Sequence, residues 1–290
     1  MVSQTIGVIG ATGMLGQPVT RQLTEAGFSV RIIARDIEAA QRLFPTSTVV
    51  FGDLDQPDSL PTALAGLDAL YLNLSVRQTE KPGAFHTETD GLRNLLSAAK
   101  TTRVGRIGYL SSMVMRYQGM NGFDWWAFRL KHEAVRLLRE SGIDYSIFYP
   151  SNFMETMLTT QRMGPLILLV GNSPVKPWFV AADDYGRQVA RAFQIAQSGQ
   201  PQEYVIQGPE AITQLDAARQ LARQYTKSRL FTSVIPPIML RFGQLFSQQA
   251  DYGWHIGTAL NNYPERFEAE RTWADLGKPT LTVREWAKRV

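Results

Sequence analysis

Three glycines near the start of the chain have the spacing of a phosphate-binding turn. Gly10, Gly13 and Gly16 stand three residues apart, between an apolar run at 5–9 and a helix predicted over 14–26. The first glycine permits a tight turn, the second lets the backbone approach a pyrophosphate, and the third lets the helix pack on the strand. The first N–H groups of the helix then attract the anion. The residues assigned to this site are Gly10, Thr12, Gly13, Met14, Leu15 and Gly16. The pattern predicts a dinucleotide site, with an ordinary glycine turn as the alternative.

The residue after the second predicted strand distinguishes the two nicotinamide dinucleotides. Proteins that bind NAD usually carry an acid there for the ribose 2′-hydroxyl, whereas this chain has Arg35. A guanidinium can bind a 2′-phosphate through two hydrogen bonds and cover the adenine face. Two alternatives remain open, since Asp36 can bind the 2′-hydroxyl instead and Arg35 can be an ordinary surface charge. The sequence predicts NADP, with NADPH preferred over NADH.

Short polar runs follow three further predicted strands. Asp53 and Leu54 follow the third strand, where a carboxylate can accept a hydrogen bond from the adenine amino group or, alternatively, cap a helix. The residues after the fourth and fifth strands are Asn73, Leu74, Ser75, Ser111 and Ser112. Ligands of open α/β sheets bind at the carboxyl ends of the strands, so these residues are predicted to border the ribose and the nicotinamide.

Strand-like and helix-like segments alternate through the first half of the chain. The predicted strands are 5–9, 29–33, 48–51, 69–74, 106–111 and 145–148, and the predicted helices are 14–26, 37–44, 58–65, 84–99 and 125–141. This alternation predicts an α/β fold with a Rossmann-type, doubly wound parallel sheet. In the helix at 84–99 the leucines share one face, and Glu88 is expected to face solvent.

The pattern becomes irregular after Pro150, where glycines and prolines interrupt short apolar stretches. We therefore divide the chain into an NAD(P)-binding Rossmann domain at 1–150 and a smaller α/β substrate-binding module at 151–290, interleaved with it. In the second part we predict a buried strand or core segment at 165–170, helices at 183–197, after Thr213 and from Val283, and a strand at 204–206.

Composition excludes several classes of function. The chain has 290 residues and a net charge of +4 without a polybasic block, so neither nucleic acid nor a membrane surface is expected as a partner. It has no cysteine, its three histidines are scattered and no calcium loop or serine-hydrolase elbow is present, so no metal site is expected. A first strand close to residue 1 leaves no room for a signal peptide, and a cytoplasmic location is expected.

With these motifs, the sequence resembles the atypical short-chain dehydrogenase/reductases of the NmrA-like group. The resemblance covers most of the chain and includes the glycine turn, Arg35, Asp53, the paired serines and Lys131. A further segment looks like the family's sixth strand around the nicotinamide and comprises Tyr149, Pro150, Ser151, Asn152 and Phe153. The group contains NADPH-dependent quinone, dye and phenylpropanoid reductases, and also non-catalytic NADP sensors.

The resemblance implies that Lys131 is the catalytic lysine, which binds the nicotinamide ribose hydroxyls and assists proton delivery. The wider superfamily has a proton-donating tyrosine four residues earlier, where this chain has Ala127, so a tyrosine-driven ketoreductase or epimerase is disfavoured. Tyr117, Trp125 and Trp126 either line an acceptor pocket or belong to the core.

Two functions follow as expectations. The first is an NADPH-dependent reductase that transfers hydride to a small apolar or aromatic acceptor, such as a quinone or a conjugated carbonyl. The alternative is a non-catalytic NADP(H)-sensing regulatory protein that acts through a protein partner.

Overall fold

A seven-stranded parallel sheet forms the centre of the computed structural model, which describes residues 4–76, 78–244 and 246–290. Its strands, in the spatial order β3-β2-β1-β4-β5-β6-β9, are β1 (Thr5–Ile9), β2 (Ser29–Ala34), β3 (Thr48–Phe51), β4 (Ala69–Leu72), β5 (Arg106–Leu110), β6 (Asp144–Pro150) and β9 (Gln202–Ile206). The order reverses between β1 and β4, which is where ligands bind in doubly wound sheets. The predicted Rossmann-type α/β fold is confirmed.

Helices cover both faces of this sheet. They are α1 (Gly16–Glu25), α2 (Ile37–Leu43), α3 (Leu60–Leu64), α4 (Leu92–Thr101), α5 (Trp126–Glu140) and α6 (Ala182–Ile195). All four residues of β4 are buried, with Leu70 and Leu72 in the core beneath α3, α4 and α5. Ala69 and Tyr71 belong to the opposite core, beneath α1 and α6. Alternate residues of the strand thus enter the two cores, and burial on both faces explains why the central strands are apolar throughout.

The second half of the chain completes the larger sheet. Strand β9, which we expected in the separate C-terminal module, pairs with β6 in parallel, from Ser146 with Gln202 to Pro150 with Ile206. Helix α6 packs on α1, where a Cβ added at Gly186 would lie 3.0 Å from the carbonyl oxygen of Pro18. The division at residue 150 stays a prediction, and residues on both of its sides form this sheet.

The remaining elements are β7 (Arg162–Met163), β8 (Leu166–Val170), α7 (Gln214–Gln224), β10 (Phe231–Ile235), α8 (Pro237–Gly243), α9 (Gln248–Asn262), α10 (Glu270–Leu276) and α11 (Val283–Ala287). Their strands form a smaller three-stranded sheet in the order β10-β8-β7, and these helices pack around it except α10, which packs on α6 and β9. Strand β8 lies in the run predicted at 165–170. Side chains cap two of these helices as their sequences suggest, since Thr213 accepts from the Asp216 amide and Thr282 forms a capping box with Glu285.

Candidate functional site

A cleft of about 520 Å³ lies at the carboxyl ends of β1 to β4. Eight of the predicted site residues line it, namely Gly10, Thr12, Arg35, Asp53, Leu54, Asn73, Leu74 and Ser75. The other lining residues, which we did not predict as site residues, are Ile9, Ala11, Ile33, Ala34, Asp36, Ala39, Gly52 and Thr87. The polar residues of the cleft were predictable from the sequence because they directly follow the predicted strands. The sequence did not indicate the small apolar residues that give the cleft its width.

The glycine turn is closed around the backbone of Gly10. Gly10 has a φ of +81°, and its carbonyl accepts a hydrogen bond of 3.1 Å from the Gly13 amide. A Cβ at Gly16 would lie 2.0 Å from that carbonyl oxygen, and a Cβ at Gly10 would lie 2.4 Å from the oxygen of Asn73. Gly13 is less confined, because its Cβ would lie 3.3 Å from the Gly10 oxygen. The backbone therefore requires glycine at positions 10 and 16.

Helix α1 presents its first N–H groups to this turn. Leu15 precedes the helix, and no side chain caps it. Its first turn also contains no acidic residue, so nothing there opposes the positive end of the helix dipole. Met14 lies beside the turn, where its sulfur accepts a hydrogen bond of 3.0 Å from Thr159. The start of α1 therefore has no side-chain cap and no acidic residue, which fits a diphosphate.

Two neighbouring residues of opposite charge, Arg35 and Asp36, line the cleft. Arg35 is exposed and forms no ion pair with any residue that the structure describes. Asp36 caps α2, and its Oδ1 accepts a hydrogen bond of 2.9 Å from the Ala39 amide. The guanidinium is therefore available to an anion, whereas part of the carboxylate is already used by the helix.

The side chains of Asp53 and Asn73 bind backbone groups in the walls of the cleft. Asp53 Oδ1 accepts a hydrogen bond of 3.1 Å from the Asp55 amide, which fixes a turn after β3. Asn73 Nδ2 lies 3.5 Å from the Gly10 carbonyl oxygen and connects the ends of β1 and β4. Leu54 is buried beneath them. The second oxygen of Asp53 is left for a ligand such as an adenine amino group.

Lys131 forms an ion pair with a completely buried glutamate. Its Nζ lies 2.5 Å from Glu88 Oε1, and the hydroxyl of Tyr109 donates to the same oxygen at 3.3 Å. Glu88 Oε2 has no hydrogen-bond partner within the part of the chain that the structure describes. Burial, together with the nearby carboxylate, raises the pKa of Tyr109 well above its ordinary value. Thr87, the residue before Glu88, lines the cleft, whereas neither Glu88 nor Lys131 is among its lining residues.

The expectation that Glu88 faces solvent was wrong. The helix predicted at 84–99 begins only at Leu92, after a wider turn over Thr87–Gly91 in which the Gly91 amide bonds to the His86 carbonyl. Glu88 lies four residues before Leu92 and seven before Leu95, which is the spacing of one helix face, so its side chain is directed inward with these leucines. The Lys131 ammonium and the Tyr109 hydroxyl compensate for its burial, and local periodicity carries no sign of these partners.

The aromatic residues before Lys131 belong largely to the core. Tyr117 and Trp125 are both buried, and Trp125 stacks on His255 of α9 with ring centres 5.5 Å apart. Tyr252 of the same helix packs edge-on against Trp125 at 5.1 Å. Burial and the charge of Glu88 raise the pKa of Tyr252 to about 12. Helix α9 therefore covers the start of α5, where Ala127 replaces the superfamily's tyrosine.

Several predicted nicotinamide-site residues already have partners. The Tyr149 hydroxyl donates to Glu203 at 3.0 Å, and the Ser151 hydroxyl donates to Glu265 at 2.9 Å. The others lie as follows: Pro150 ends β6, the Asn152 carbonyl accepts from the Val180 amide, Phe153 packs on Tyr185, Ser111 lies 3.4 Å from the sulfur of Met115, and Ser112 is half-buried after β5. Their contact with a nicotinamide stays a prediction.

Glu155 connects the segment after β6 to the start of α6. Its Oε1 accepts from the Ala182 amide at 2.9 Å, and burial raises its pKa from 4.5 to about 7. A raised pKa contributes stability that is fully present below pH 4.5 and is lost as the pH rises to about 7. At about pH 8 we expect Glu155→Gln to have a free energy of unfolding about 2–3 kcal/mol higher than that of the natural protein. Urea titrations at about pH 4 and pH 8 measure the difference, which should vanish at the lower pH.

Glu38→Gln is the matched control, because the Glu38 side chain is 87% exposed on α2. Its stability should follow that of the natural protein at both pH values. Equal pH dependence in Glu155→Gln and the natural protein would contradict the raised pKa.

The described residues contain neither a metal-binding cluster nor a helix that could span a membrane. Within residues 4–76, 78–244 and 246–290, no three histidine, aspartate or glutamate side chains are grouped in a way that could hold a metal ion. None of the helices in those ranges has the length and apolarity to cross a membrane.

The sheet order, the glycine turn and the cleft define a Rossmann-type dinucleotide-binding protein. A family model described as NAD(P)H-binding matches residues 10–192, which is more than half of the chain. The chain therefore belongs to this NAD(P)H-binding family, as its glycine turn predicted.

Two curated relatives have different described roles. A (4-alkanoyl-5-oxo-2,5-dihydrofuran-3-yl)methyl phosphate reductase of Streptomyces griseus is 31% identical over 223 residues, covering 74% of this chain and 72% of the relative. The photosystem II assembly factor Ycf39 of Cyanophora paradoxa is 30% identical over 155 residues, covering 53% of this chain. The chain thus spans about half of that second relative, 47% of its length.

Two solved structures share the whole fold at low identity. The NADPH-dependent quinone oxidoreductase QOR2 of Escherichia coli, complexed with NADPH, has a TM-score of 0.76 and 22% identity, covering 98% of this chain and 99% of that one. The triphenylmethane reductase of Citrobacter sp., complexed with NADP(H), has a TM-score of 0.73 and 18% identity, with the same coverage.

Proposed function

We propose that this protein is an NADPH-dependent reductase that transfers hydride to a small apolar or aromatic acceptor, such as a quinone or a conjugated carbonyl. The observation that carries the proposal is the bare turn at Gly10 to Gly16, with the free guanidinium of Arg35 in the same cleft. The reductase names of the Streptomyces, Escherichia and Citrobacter proteins support the reaction class.

Each part of the cleft has a task in this proposal. The α1 amides bind the diphosphate, Arg35 binds the 2′-phosphate and Asp53 accepts from the adenine amino group. Lys131, held by Glu88, binds the nicotinamide ribose. The dinucleotide supplies the hydride when it is bound. Because Ala127 cannot donate a proton, a quinone that has taken the hydride receives its proton from water.

We expect Arg35→Gln to weaken NADPH binding by about 10- to 30-fold and to leave NADH binding within about twofold, since only the charged bonds to the 2′-phosphate are lost. Fluorescence titration of both dinucleotides measures the change. Arg42→Gln is the matched control, because its side chain is 70% exposed on α2 and lies 3.8 Å from Glu38. Parallel loss of NADPH and NADH affinity in Arg35→Gln would contradict the assignment.

A panel of quinones, azo dyes and conjugated carbonyls tests the reductase itself. NADPH consumption with at least one acceptor, weakened in Lys131→Ala, is the expected result. A second candidate is a non-catalytic NADP(H)-binding protein that acts through a protein partner. The match to a photosystem II assembly factor and the presence of Ala127 favour it. Tight NADPH binding without turnover on the whole panel would select this candidate.

A further inference from the structure

Exposed apolar side chains are concentrated in one short part of the described chain. Of the eleven large apolar side chains that are exposed, six lie between residues 231 and 246, namely Phe231, Val234, Ile238, Met239, Phe242 and Phe246. We call these six residues the apolar patch. Patches of this kind usually mark a contact with another molecule.

Four residues of the apolar patch lie in α8 and in the connection between α8 and α9, and the other two, Phe231 and Val234, lie in β10. Ile238 and Phe242 are four residues apart and share one face of α8. Leu240 faces the other way, 3.7 Å from a Cβ built at Gly253 of α9. Phe246, in the connection between the helices, is 90% exposed. The most apolar residues therefore project from the protein and do not line a groove.

Basic residues outnumber acidic ones in the segment that contains the apolar patch. Residues 217–250 contain five arginines and lysines and no aspartate or glutamate. Arg229 lies over the ring of Phe231, 5.2 Å from its centre, and Arg241 is exposed on α8. Neither arginine forms an ion pair with any residue in the described ranges. A partner for this surface must therefore have negative charges for the arginines next to an apolar region for the exposed side chains.

A second copy of the chain does not meet this requirement. A symmetric pair would bring the patch against itself and place the arginines of one copy beside those of the other. A rigid protein partner would need a deep pocket for Phe246, whereas fluid acyl chains surround a projecting side chain without one. Anionic lipid satisfies both conditions, since apolar side chains enter the acyl boundary while basic residues stay at the headgroups.

We propose that the apolar patch and its basic border bind the surface of an anionic lipid bilayer, with Phe242 and Phe246 inserted among the acyl chains. This differs from the expectation based on net charge, because a total of +4 does not reveal that residues 217–250 contain no acid. The proposal does not depend on the cofactor or on turnover.

Flotation of the full chain with lipid vesicles tests the proposal. The chain is expected to bind vesicles of phosphatidylcholine mixed with phosphatidylglycerol at least about tenfold more strongly than vesicles of phosphatidylcholine alone. The double variant Phe242→Ser/Phe246→Ser should reduce binding to the mixed vesicles by at least about tenfold. The assay is run without NADPH, so its result is independent of any reductase activity.

The matched control is Leu43→Ser/Met120→Ser, which removes two exposed apolar side chains outside the patch, 47% and 41% exposed. It should bind the mixed vesicles as the natural chain does, and thermal unfolding of both variants verifies that they fold. Equal binding to both lipid mixtures, or unchanged binding by Phe242→Ser/Phe246→Ser, would overturn the proposal. Self-association or capture of an acidic protein without vesicle binding would also overturn it.

Discussion

Lys131→Met is expected to lower the free energy of unfolding by about 3–5 kcal/mol, because it leaves Glu88 as an unpaired charge in the core. Glu88 is completely buried and Lys131 is 17% exposed, so water cannot take the place of the lost ammonium. Urea unfolding measures the effect. Lys100→Met is the control, since Lys100 is exposed on α4 and its replacement should change stability by less than about 0.5 kcal/mol.

The double variant Glu88→Gln/Lys131→Met separates folding from function. Removing both charges is expected to recover more than half of the lost stability, because no buried charge remains. If Lys131 binds the nicotinamide ribose, the recovered protein still binds NADPH about tenfold more weakly than the natural one. Restored NADPH affinity in the stable double variant would show that Lys131 serves only the fold. A loss below about 1 kcal/mol in Lys131→Met would instead contradict the buried pair.

Gly13→Val is expected to weaken dinucleotide binding by at least about 100-fold while the protein still folds. A Cβ at this position requires only a small shift of the turn, since it would lie 3.3 Å from the Gly10 oxygen and 3.5 Å from Asn73 Nδ2. The additional methyl groups have to enter the cleft or displace the turn, and either change moves the amides away from the diphosphate. Titration with NADPH and thermal unfolding measure the two effects separately.

Variants of two other glycines serve as comparisons for Gly13→Val. Gly16→Ala should damage the fold itself, because its Cβ would lie 2.0 Å from the Gly10 oxygen. Gly253→Val should leave dinucleotide binding unchanged, since the nearest atom to its Cβ is 3.7 Å away on Leu240. Natural NADPH affinity in Gly13→Val would show that the diphosphate does not lie against this turn.

The parts of the molecule that local sequence determines were predictable. Strand β4 and the glycine turn depend on residues within a few positions of each other, and both lie where the sequence indicated. The carboxyl-end rule then placed Asp53 and Asn73 in the cleft, because every strand of a parallel sheet ends on the same side.

The features that the sequence did not predict depend on partners that are distant along the chain. Glu88 meets Lys131 across 43 residues, and Ser151 meets Glu265 across 114. Helix α9 mixes two glycines with aromatic and polar residues, so its apolar stripe is too weak to indicate a helix. Strand β9 joins the large sheet as its seventh strand because it pairs with β6. The five residues of β9 do not indicate this partner.

The contribution of β9 and α6 determines how the molecule can come apart. A fragment that ended at Pro150 would leave β6 as a bare, apolar sheet margin, with five consecutive buried residues ready to join another chain. It would also uncover the side of α1 that Gly186 approaches so closely. The first 150 residues therefore lack the strand that completes their sheet until the chain has been made as far as residue 206.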